Sequence, residues 1–359
     1  MSVEILHPRL TERLVGHEAQ QKAFLESFYG NKLHHAWLLT GPEGVGKATF
    51  AYHCAKFLLE QGETTDSDSN MFGDFPEKLK FSTESQSTHL VASESHPDLR
   101  SIEKHIDDKT GKSKKNISVE QVRGISQFFS LTPSYAGWRI IIVDTADDMN
   151  VSAANALLKI LEEPPEKSIL FLISHNPGKL LPTLRSRCRA LKFDPLAISS
   201  VEGLLEDLKL TSSFDYSKSD VFLASGCPGK AIRYAHDEAG IFYNSLLQQL
   251  QQLDTIPMSD LIKFSEGVAS TSEPHKWNLF TDFLLHILNG LILRYSTGKI
   301  GNSNIPAEDV LFSSLISTHP LEHWLELWNK LSTGLRDVER LNLDKKQVTL
   351  SSLLAFRAS

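Results

Sequence analysis

The feature that most constrains the fold is a glycine-rich loop between a predicted buried strand and a predicted helix. HAWLLTGP is typical of the strand, GPEGVGK of the loop and KATFAYHCAKFLLEQ of the helix. Backbone N–H groups of such a loop, with the amino terminus of the following helix, form a cradle for anions. Gly41, Gly44 and Gly46 allow the turns, and Lys47 supplies positive charge. This order predicts an α/β domain, a parallel sheet with flanking helices, that carries a phosphate-binding loop (P-loop).

One position departs from the usual pattern, in which Ser or Thr follows the lysine. Ala48 stands there, and alanine cannot coordinate the magnesium ion that a hydroxyl residue would bind. Thr49 comes one step later, rotated by about 100° around the helix axis. Helix geometry favours a packed Thr49 over a substitute ligand, although both interpretations stay open. We therefore expect ATP or ADP to bind here without efficient hydrolysis, and we expect no metal site.

A second buried strand ends in an acidic residue. WRIIIVDTAD contains four consecutive aliphatic residues, 140–143, and then Asp144; ligands gather at the carboxyl ends of parallel strands. Thr145 follows where an ATPase would present a carboxylate to the attacking water, and a threonine hydroxyl is a poor base at neutral pH. Asp147 and Asp148 are predicted to start a short helix. Two losses in one site indicate that hydrolysis is not the task of this chain.

The remaining patterns divide the chain into α/β and helical parts. Ser118 and Gln121 are spaced as a capping box ahead of a helix. Residues 62–95 are rich in Ser, Thr, Asp and Glu without a sustained period, which predicts an exposed insertion. Beyond Pro195 the pattern is helical, and apolar residues recur at helical spacing as core stripes. These residues are Trp277, Phe280, Leu284, Ile287, Leu288 and Leu291, then Trp324, Leu327, Trp328 and Leu331.

Composition excludes several classes of protein. A hydrophobic fraction of 41% and a charged fraction of 23% are those of a folded protein rather than a disordered one. A net charge of -7 argues against strong independent binding to nucleic acid. Cys54, Cys188 and Cys227 show no C-x-x-C spacing, so neither a disulfide framework nor zinc is expected. No stretch approaches the roughly 18 apolar residues of a membrane span, and we expect a cytoplasmic protein.

Five segments carry a family resemblance: HHAWLLTGPEGVGKAT, HPDL, IIIVDTADDMNVSAANALLKILEEPP, LFLISHNPGKLLPTLRSRC and NLDKKQ. In this order they resemble bacterial clamp-loader subunits, the AAA+ proteins of the DNA polymerase III holoenzyme. The delta-prime group fits best. The ATPase subunit would carry an intact Lys-Thr or Lys-Ser pair, an Asp-Glu motif and a four-cysteine zinc module, and the delta subunit would lack Ser-Arg-Cys.

The resemblance implies three domains and a set of site residues. The domains are a AAA+ P-loop domain over residues 1–196, a helical lid over 197–242 and a helical collar for oligomerisation over 243–359. Arg187 would be an arginine finger, a charged guanidinium placed in trans against a neighbouring subunit's nucleotide. A solvated surface charge is the alternative for Arg187, as we expect for Arg185 and Arg189. The implied nucleotide-binding residues are Gly41, Gly44, Gly46, Lys47, Thr49, Asp144 and Lys230, the last with a plain helix-surface alternative.

The resemblance also implies partners and a task. The partners would be the other clamp-loader subunits, namely the ATPase subunits and delta, and through the assembled complex the sliding clamp and primer–template DNA; no membrane is involved. The task would be to help load the clamp onto primed DNA during replication, while DNA-directed DNA polymerase chemistry, a nucleotidyltransferase reaction, belongs to another chain. Two alternatives stay open. The first is an ATPase, either an autonomous one in which Thr49 and Asp147 replace the missing groups, or an ATPase-type clamp-loader subunit. The second is a pure scaffold.

Overall fold

The computed structural model describes residues 7–63, 76–104, 116–134, 137–211, 215–298 and 305–357. The chain divides into two compact units. The first unit comprises Met1–Ser213 and Ser225–Ala231, and the second comprises Phe214–Ala224 and Ile232–Ser359. The division into three domains that the resemblance implies stays a prediction.

A five-stranded parallel sheet organises the first unit. Its strands, in chain order, are β1 (Ala36–Thr40), β2 (Leu99–Ile102), β3 (Arg139–Val143), β4 (Ser168–Ser174) and β5 (Arg189–Lys192). Their spatial order is β2-β3-β4-β1-β5, and each neighbouring pair is parallel. Parallel pairing brings all the carboxyl ends to one edge, and ligands of α/β proteins bind there. The predicted α/β architecture is confirmed.

The helices of the first unit are α1 (Glu18–Tyr29), α2 (Lys47–Glu63), α3 (Gln86–Ala92), α4 (Val119–Ser130), α5 (Val151–Glu162), α6 (Pro182–Arg185) and α7 (Ile198–Thr211). Side-chain caps mark the start of α3, α4 and α5. The predicted capping box of α4 is present: Ser118 Oγ accepts the Gln121 N–H at 3.4 Å, and Gln121 Oε1 accepts the Ser118 N–H at 3.0 Å. Asn150 caps α5 by accepting the Ala153 N–H at 2.8 Å. These caps give hydrogen-bond partners to backbone groups that would otherwise be unpaired at the start of the helix.

The core lies on both faces of the sheet, and β3 shows why four consecutive residues of its sequence, 140–143, are aliphatic. Ile140 and Ile142 belong to one apolar cluster, whereas Ile141 and Val143 belong to another. Successive side chains of a strand point to opposite faces, so a strand covered on both sides favours apolar residues at successive positions. All five residues of β3 are buried.

The prediction of an exposed insertion over residues 62–95 is wrong in part. Residues 64–75 lie outside the described residues, but α3 lies within the predicted loop, and Leu79 and Val91 are buried in the apolar core. With only one fully buried aliphatic residue, α3 contains too few apolar positions to show a helical period. A short polar helix of this kind is stabilised by its cap and its packing, and neither is visible in hydrophobic spacing.

The second unit is helical. Its helices are α8 (Lys218–Leu223), the last part of α9 (Pro228–His236), α10 (Ala239–Gln251), α11 (Met258–Val268), α12 (His275–Thr297), α13 (Pro306–Thr318), α14 (Leu321–Leu341) and α15 (Lys345–Leu354). The stripe of α12 predicted as core is confirmed, because its six residues are all buried. In α14, Trp324, Leu327 and Leu331 are buried and Trp328 is half-buried. Across the described ranges, no helix combines the length and the apolar character that crossing a membrane requires.

A buried carboxylate connects three helices of the second unit. Glu308, in the first turn of α13, has a side chain that is 8% exposed and accepts the Tyr243 hydroxyl of α10 at 2.5 Å. His286 Nε2 of α12 lies 3.3 Å from the same oxygen. Burial, together with the Glu308 charge, raises the pKa of Tyr243 well above its usual range. A buried polar group is costly to leave unpaired, so this junction restricts how the three helices pack.

We expect Tyr243→Phe to lower the free energy of unfolding by about 1–3 kcal/mol, because it removes the hydroxyl that donates to the buried Glu308 carboxylate. Urea unfolding followed by circular dichroism measures this loss. Tyr295→Phe is the matched control, since it removes a hydroxyl from a partly exposed tyrosine of α12, and it should cost less than about 0.5 kcal/mol. Equal midpoints for the two variants would contradict the junction's importance.

Candidate functional site

The glycine-rich loop lies between β1 and α2 at the carboxyl edge of the sheet, as the sequence predicts. The φ angles of Gly41, Gly44 and Gly46 are 147°, 74° and 114°, in the region that residues with a side chain rarely adopt. A Cβ atom on Gly41 would lie 2.3 Å from the carbonyl oxygen of Phe193. Backbone conformation and close packing therefore require these glycines, whatever the loop binds.

Lys47, the first residue of α2, turns its side chain onto the loop itself. Its Nζ donates to the carbonyl of Gly41 at 2.7 Å and to that of Pro42 at 2.6 Å. The residue is only 3% exposed. Burial lowers the pKa of Lys47 to about 8, and Asp144 acts in the opposite direction. The ammonium that would neutralise a phosphate is thus already bonded to backbone carbonyls.

The amino end of α9, which belongs to the first unit, lies directly on this loop. The Gly229 N–H donates to the Gly44 carbonyl at 2.8 Å. A Cβ atom on Gly44 would lie 2.5 Å from the backbone nitrogen of Lys230. The structure therefore brings Lys230 to the loop through its backbone, and its side chain is partly exposed.

His17 supports the loop and was missed by sequence reasoning. It is buried just before α1, and its Nε2 lies 2.9 Å from the Val45 carbonyl. Its ring packs edge-on against Phe193, with centroids 4.8 Å apart. Burial lowers the pKa of His17, so a neutral imidazole that donates from Nε2 suits this carbonyl. No local signal could have revealed the contact, because it joins residues far apart in sequence.

The start of α2 fits phosphate better than it fits magnesium. Ala48 is partly buried against the apolar cluster and offers no oxygen to a cation. Thr49 is partly exposed one step further around the helix, as helix geometry requires. Within the described part of the chain, no group of three or more His, Cys, Asp and Glu residues is arranged to hold a metal ion. The residues present therefore do not fit magnesium at the usual position.

Asp144 follows β3 at the same edge of the sheet, as predicted. Thr145 Oγ1 donates to its carboxylate at 3.2 Å. Burial and the nearby charge of Glu103 raise the pKa of Asp144, whereas His175 and Lys47 lower it. The charges of Asp144 and Lys47 thus act on each other, and the structure brings these two predicted site residues together.

Asp147 lies in the 3-10 turn Ala146–Asp148, so the predicted helix-start carboxylate is confirmed. Its carboxylate also connects the ends of β3 and β4, since it accepts Ser174 Oγ–H at 2.6 Å and the backbone N–H groups of His175 and Asn176. Its side chain is 6% exposed. Burial alone would raise the pKa of Asp147, but these hydrogen bonds hold it well below the usual range. A carboxylate bound in this way is a poor acceptor of a further proton.

Arg187 lies on the surface of the first unit, just after α6. Its Nη2 donates to Glu162 Oε1 at 2.7 Å, and its Nη1 donates to the Thr183 carbonyl at 3.0 Å. The side chain remains 36% exposed. Two contacts therefore orient a guanidinium that an anion from outside the chain can still reach.

The residues beside Arg187 have different surroundings. The Arg189 guanidinium lies 4.8 Å from the centre of the Trp37 ring, a cation–π contact, and donates to Ser27 Oγ at 3.0 Å. Arg185 is exposed. Burial raises the pKa of Cys188 to about 12, so very little of its thiol is the reactive thiolate at neutral pH.

Comparison with known proteins connects this geometry to a family. The family model described as "DNA polymerase III, delta subunit" matches residues 16–197. DNA polymerase III subunit delta' of Pseudomonas aeruginosa is 38% identical over 169 residues, which cover 47% of this chain and 46% of that protein. The Bacillus subtilis subunit delta' is 33% identical over 187 residues, which cover 51% and 49%. The chain thus spans about half the length of these curated relatives.

Two solved structures from Thermotoga maritima are also similar. A DNA polymerase III gamma subunit-related protein is 17% identical, with 94% of this chain and 98% of that chain covered and a TM-score of 0.39. The RuvB Holliday junction branch migration motor is 18% identical, with 87% and 86% covered and a TM-score of 0.40.

The resemblance to delta-prime subunits is confirmed by the curated relatives that bear that name. Because the family model matches about half of its length, the chain belongs to the family described as DNA polymerase III, delta subunit.

Proposed function

We propose that the chain is a delta-prime subunit of a DNA polymerase III clamp loader and that Arg187 acts in trans as an arginine finger. The observation that carries the proposal is the oriented, accessible Arg187 guanidinium in a chain whose own P-loop lysine is buried. An arginine finger stabilises the charge that develops on a transferred phosphoryl group bound by another subunit. The chain would thus help load the sliding clamp during replication by completing a neighbouring ATPase site.

The chain's own cradle is proposed to hold ATP or ADP without efficient hydrolysis. The loop backbone, Lys47, Asp144 and Lys230 form the binding set, and a bound nucleotide would supply the phosphates that this backbone recognises. Lys47 must leave its two carbonyl partners before it can reach a phosphate. Ala48 gives no magnesium ligand, and Thr145 gives no carboxylate for water. Polymerase chemistry lies in another chain.

The proposed partners are the ATPase subunits and delta, and through the assembled complex the sliding clamp and primer–template DNA. A net charge of -7 suits contact with DNA through a complex better than independent binding. The second unit exposes large apolar side chains that suit its proposed part in oligomerisation. These are Ile241, Leu293 and Val310, which are 70%, 63% and 65% exposed. Cytoplasm is the proposed location.

The main rival is an autonomous ATPase in which Thr49 and Asp147 replace the missing groups. The hydrogen bonds that Asp147 accepts from the end of β4 weigh against it, because a general base must be able to take a proton. A pure scaffold, the third possibility, would leave Arg187 without an effect on ATP hydrolysis.

Arg187→Ala should lower the DNA- and clamp-stimulated ATP hydrolysis of the reconstituted loader by about a thousandfold or more, the usual effect of losing an arginine finger. Steady-state hydrolysis with all partner subunits present measures the effect. Arg185→Ala is the matched control, because it removes an exposed arginine two positions earlier, and its rate should stay close to that of the wild type. Equal rates for wild type and Arg187→Ala would support the scaffold instead.

Lys47→Met should leave the hydrolysis of the reconstituted loader nearly unchanged, and the isolated chain should show the same negligible turnover with either residue. Methionine keeps the apolar stem and removes the ammonium, so the packing of α2 is preserved. Hydrolysis assays of the loader and of the isolated chain are the measurement, with circular dichroism as a check of folding. Turnover by the isolated wild type that the substitution abolishes would favour the autonomous ATPase.

Asp147→Asn should lower the free energy of unfolding of the isolated chain by about 1.5–3 kcal/mol, because charged hydrogen bonds are lost. The pKa of Asp147 is depressed by folding, so its contribution is fully present above about pH 4 and fades as the pH falls. Melting temperatures measured across this range should therefore converge for wild type and variant in acid. Asp148→Asn, which removes an ion pair with Lys104 near the surface, should have the smaller effect. The rival predicts instead a stable variant that has lost turnover.

A further inference from the structure

We propose that Glu162 is a positioning residue for Arg187: its carboxylate holds the guanidinium in the orientation that meets a neighbouring subunit's nucleotide. The inference rests on the proposed function of Arg187 as an arginine finger and adds the residue that sets its geometry. The 2.7 Å contact between Arg187 Nη2 and Glu162 Oε1 is the observation behind it.

Glu162 is the last residue of α5, so the packing of that helix fixes the position of its backbone. Leu157, Ile160 and Leu161 of that helix are buried in the apolar cluster on one face of the sheet. The Glu163 N–H donates to the Lys159 carbonyl at 3.2 Å and completes the last turn. The backbone that carries the carboxylate is therefore held by the core even though the side chain is exposed.

Arg187 stands on a segment anchored in the same cluster. Leu184 of α6 is fully buried and belongs to the cluster that contains Leu157 and Leu161. The Arg187 N–H donates to the Leu184 carbonyl at 3.2 Å, which fixes its backbone. Glu162 and Arg187 therefore lie on two elements that pack against the same apolar cluster, and their ion pair joins these elements at the surface.

The geometry favours orientation of the guanidinium over its sequestration. Two N–H donors of the guanidinium meet Thr183 and Glu162, and an arginine carries five such donors. The side chains of Arg187 and Glu162 are 36% and 51% exposed, so the pair faces solvent rather than closing the arginine away. A guanidinium held at two points loses less freedom when it binds a phosphate. Small errors of placement are costly in a transition state.

The expected effect is modest, because exposed ion pairs contribute little to stability. We expect Glu162→Ala to lower kcat of the reconstituted loader by a factor of about two to five, the range that exposed pairs typically give. Glu162→Gln should lie between wild type and Glu162→Ala, since its amide oxygen can still accept from Nη2 but carries no charge. The KM for ATP and the melting temperature should not change.

The experiment is a double-mutant cycle on the complete loader, with steady-state ATP hydrolysis in the presence of clamp and primed DNA as the measurement. Glu162→Ala should lower kcat in the wild-type background and have no further effect in the Arg187→Ala background, because the two residues act as one unit. Glu163→Ala is the matched control: it removes the neighbouring carboxylate from the same helix end and should leave kcat unchanged.

The possible outcomes separate this inference from the proposed function. If Arg187→Ala leaves hydrolysis intact, the arginine finger itself is refuted, and the role of Glu162 falls with it. If Arg187→Ala abolishes hydrolysis while Glu162→Ala leaves kcat unchanged or raises it, the finger stands and the positioning role is refuted. Equal losses for Glu162→Ala and Glu163→Ala, or a lowered melting temperature, would assign the effect to the helix end and would also overturn the inference.

Discussion

The parallel hydrogen-bonded ladder formed by β3, β4 and β1 is the constraint on which the rest of the first unit depends. Because β4 pairs with both of the other strands, the segments that follow β1, β3 and β4 all begin at one edge of the sheet. The glycine-rich loop, Asp144 and the Ser174 end of β4 therefore meet there, although long stretches of sequence separate them. A single antiparallel strand would have moved one of these groups to the opposite edge.

The carboxyl edge shows how one environment gives two carboxylates opposite properties. Asp144 and Asp147 are three positions apart and both poorly exposed to water. Burial dominates for Asp144 and raises its pKa, whereas donors from the end of β4 dominate for Asp147 and lower its pKa. The difference follows from hydrogen-bond partners rather than residue type. The hydrogen bonds of Asp147 therefore link the segment after β3 to the end of β4.

The phosphate loop is held by groups of its own chain. Lys47 bonds to two loop carbonyls, Gly229 bonds to Gly44, and His17 meets Val45. A loop whose carbonyl groups are already paired can keep its shape without a ligand. The loop can therefore keep its conformation in a chain that has Ala48 after Lys47.

The sequence by itself determined the features that depend on local pattern: the apolar run of β3, the capping box at Ser118, the loop glycines and the apolar stripe of α12. Periodicity and caps report burial and helix ends, which each segment carries in its own residues. The sequence pattern did not predict α3, because the stability of that helix comes from packing. Only the tertiary structure decided the hydrogen bonds of Asp147 to the end of β4 and the pairing of Arg187 with Glu162. These contacts join segments through the order of strands and the packing of helices, and no residue spacing encodes that order.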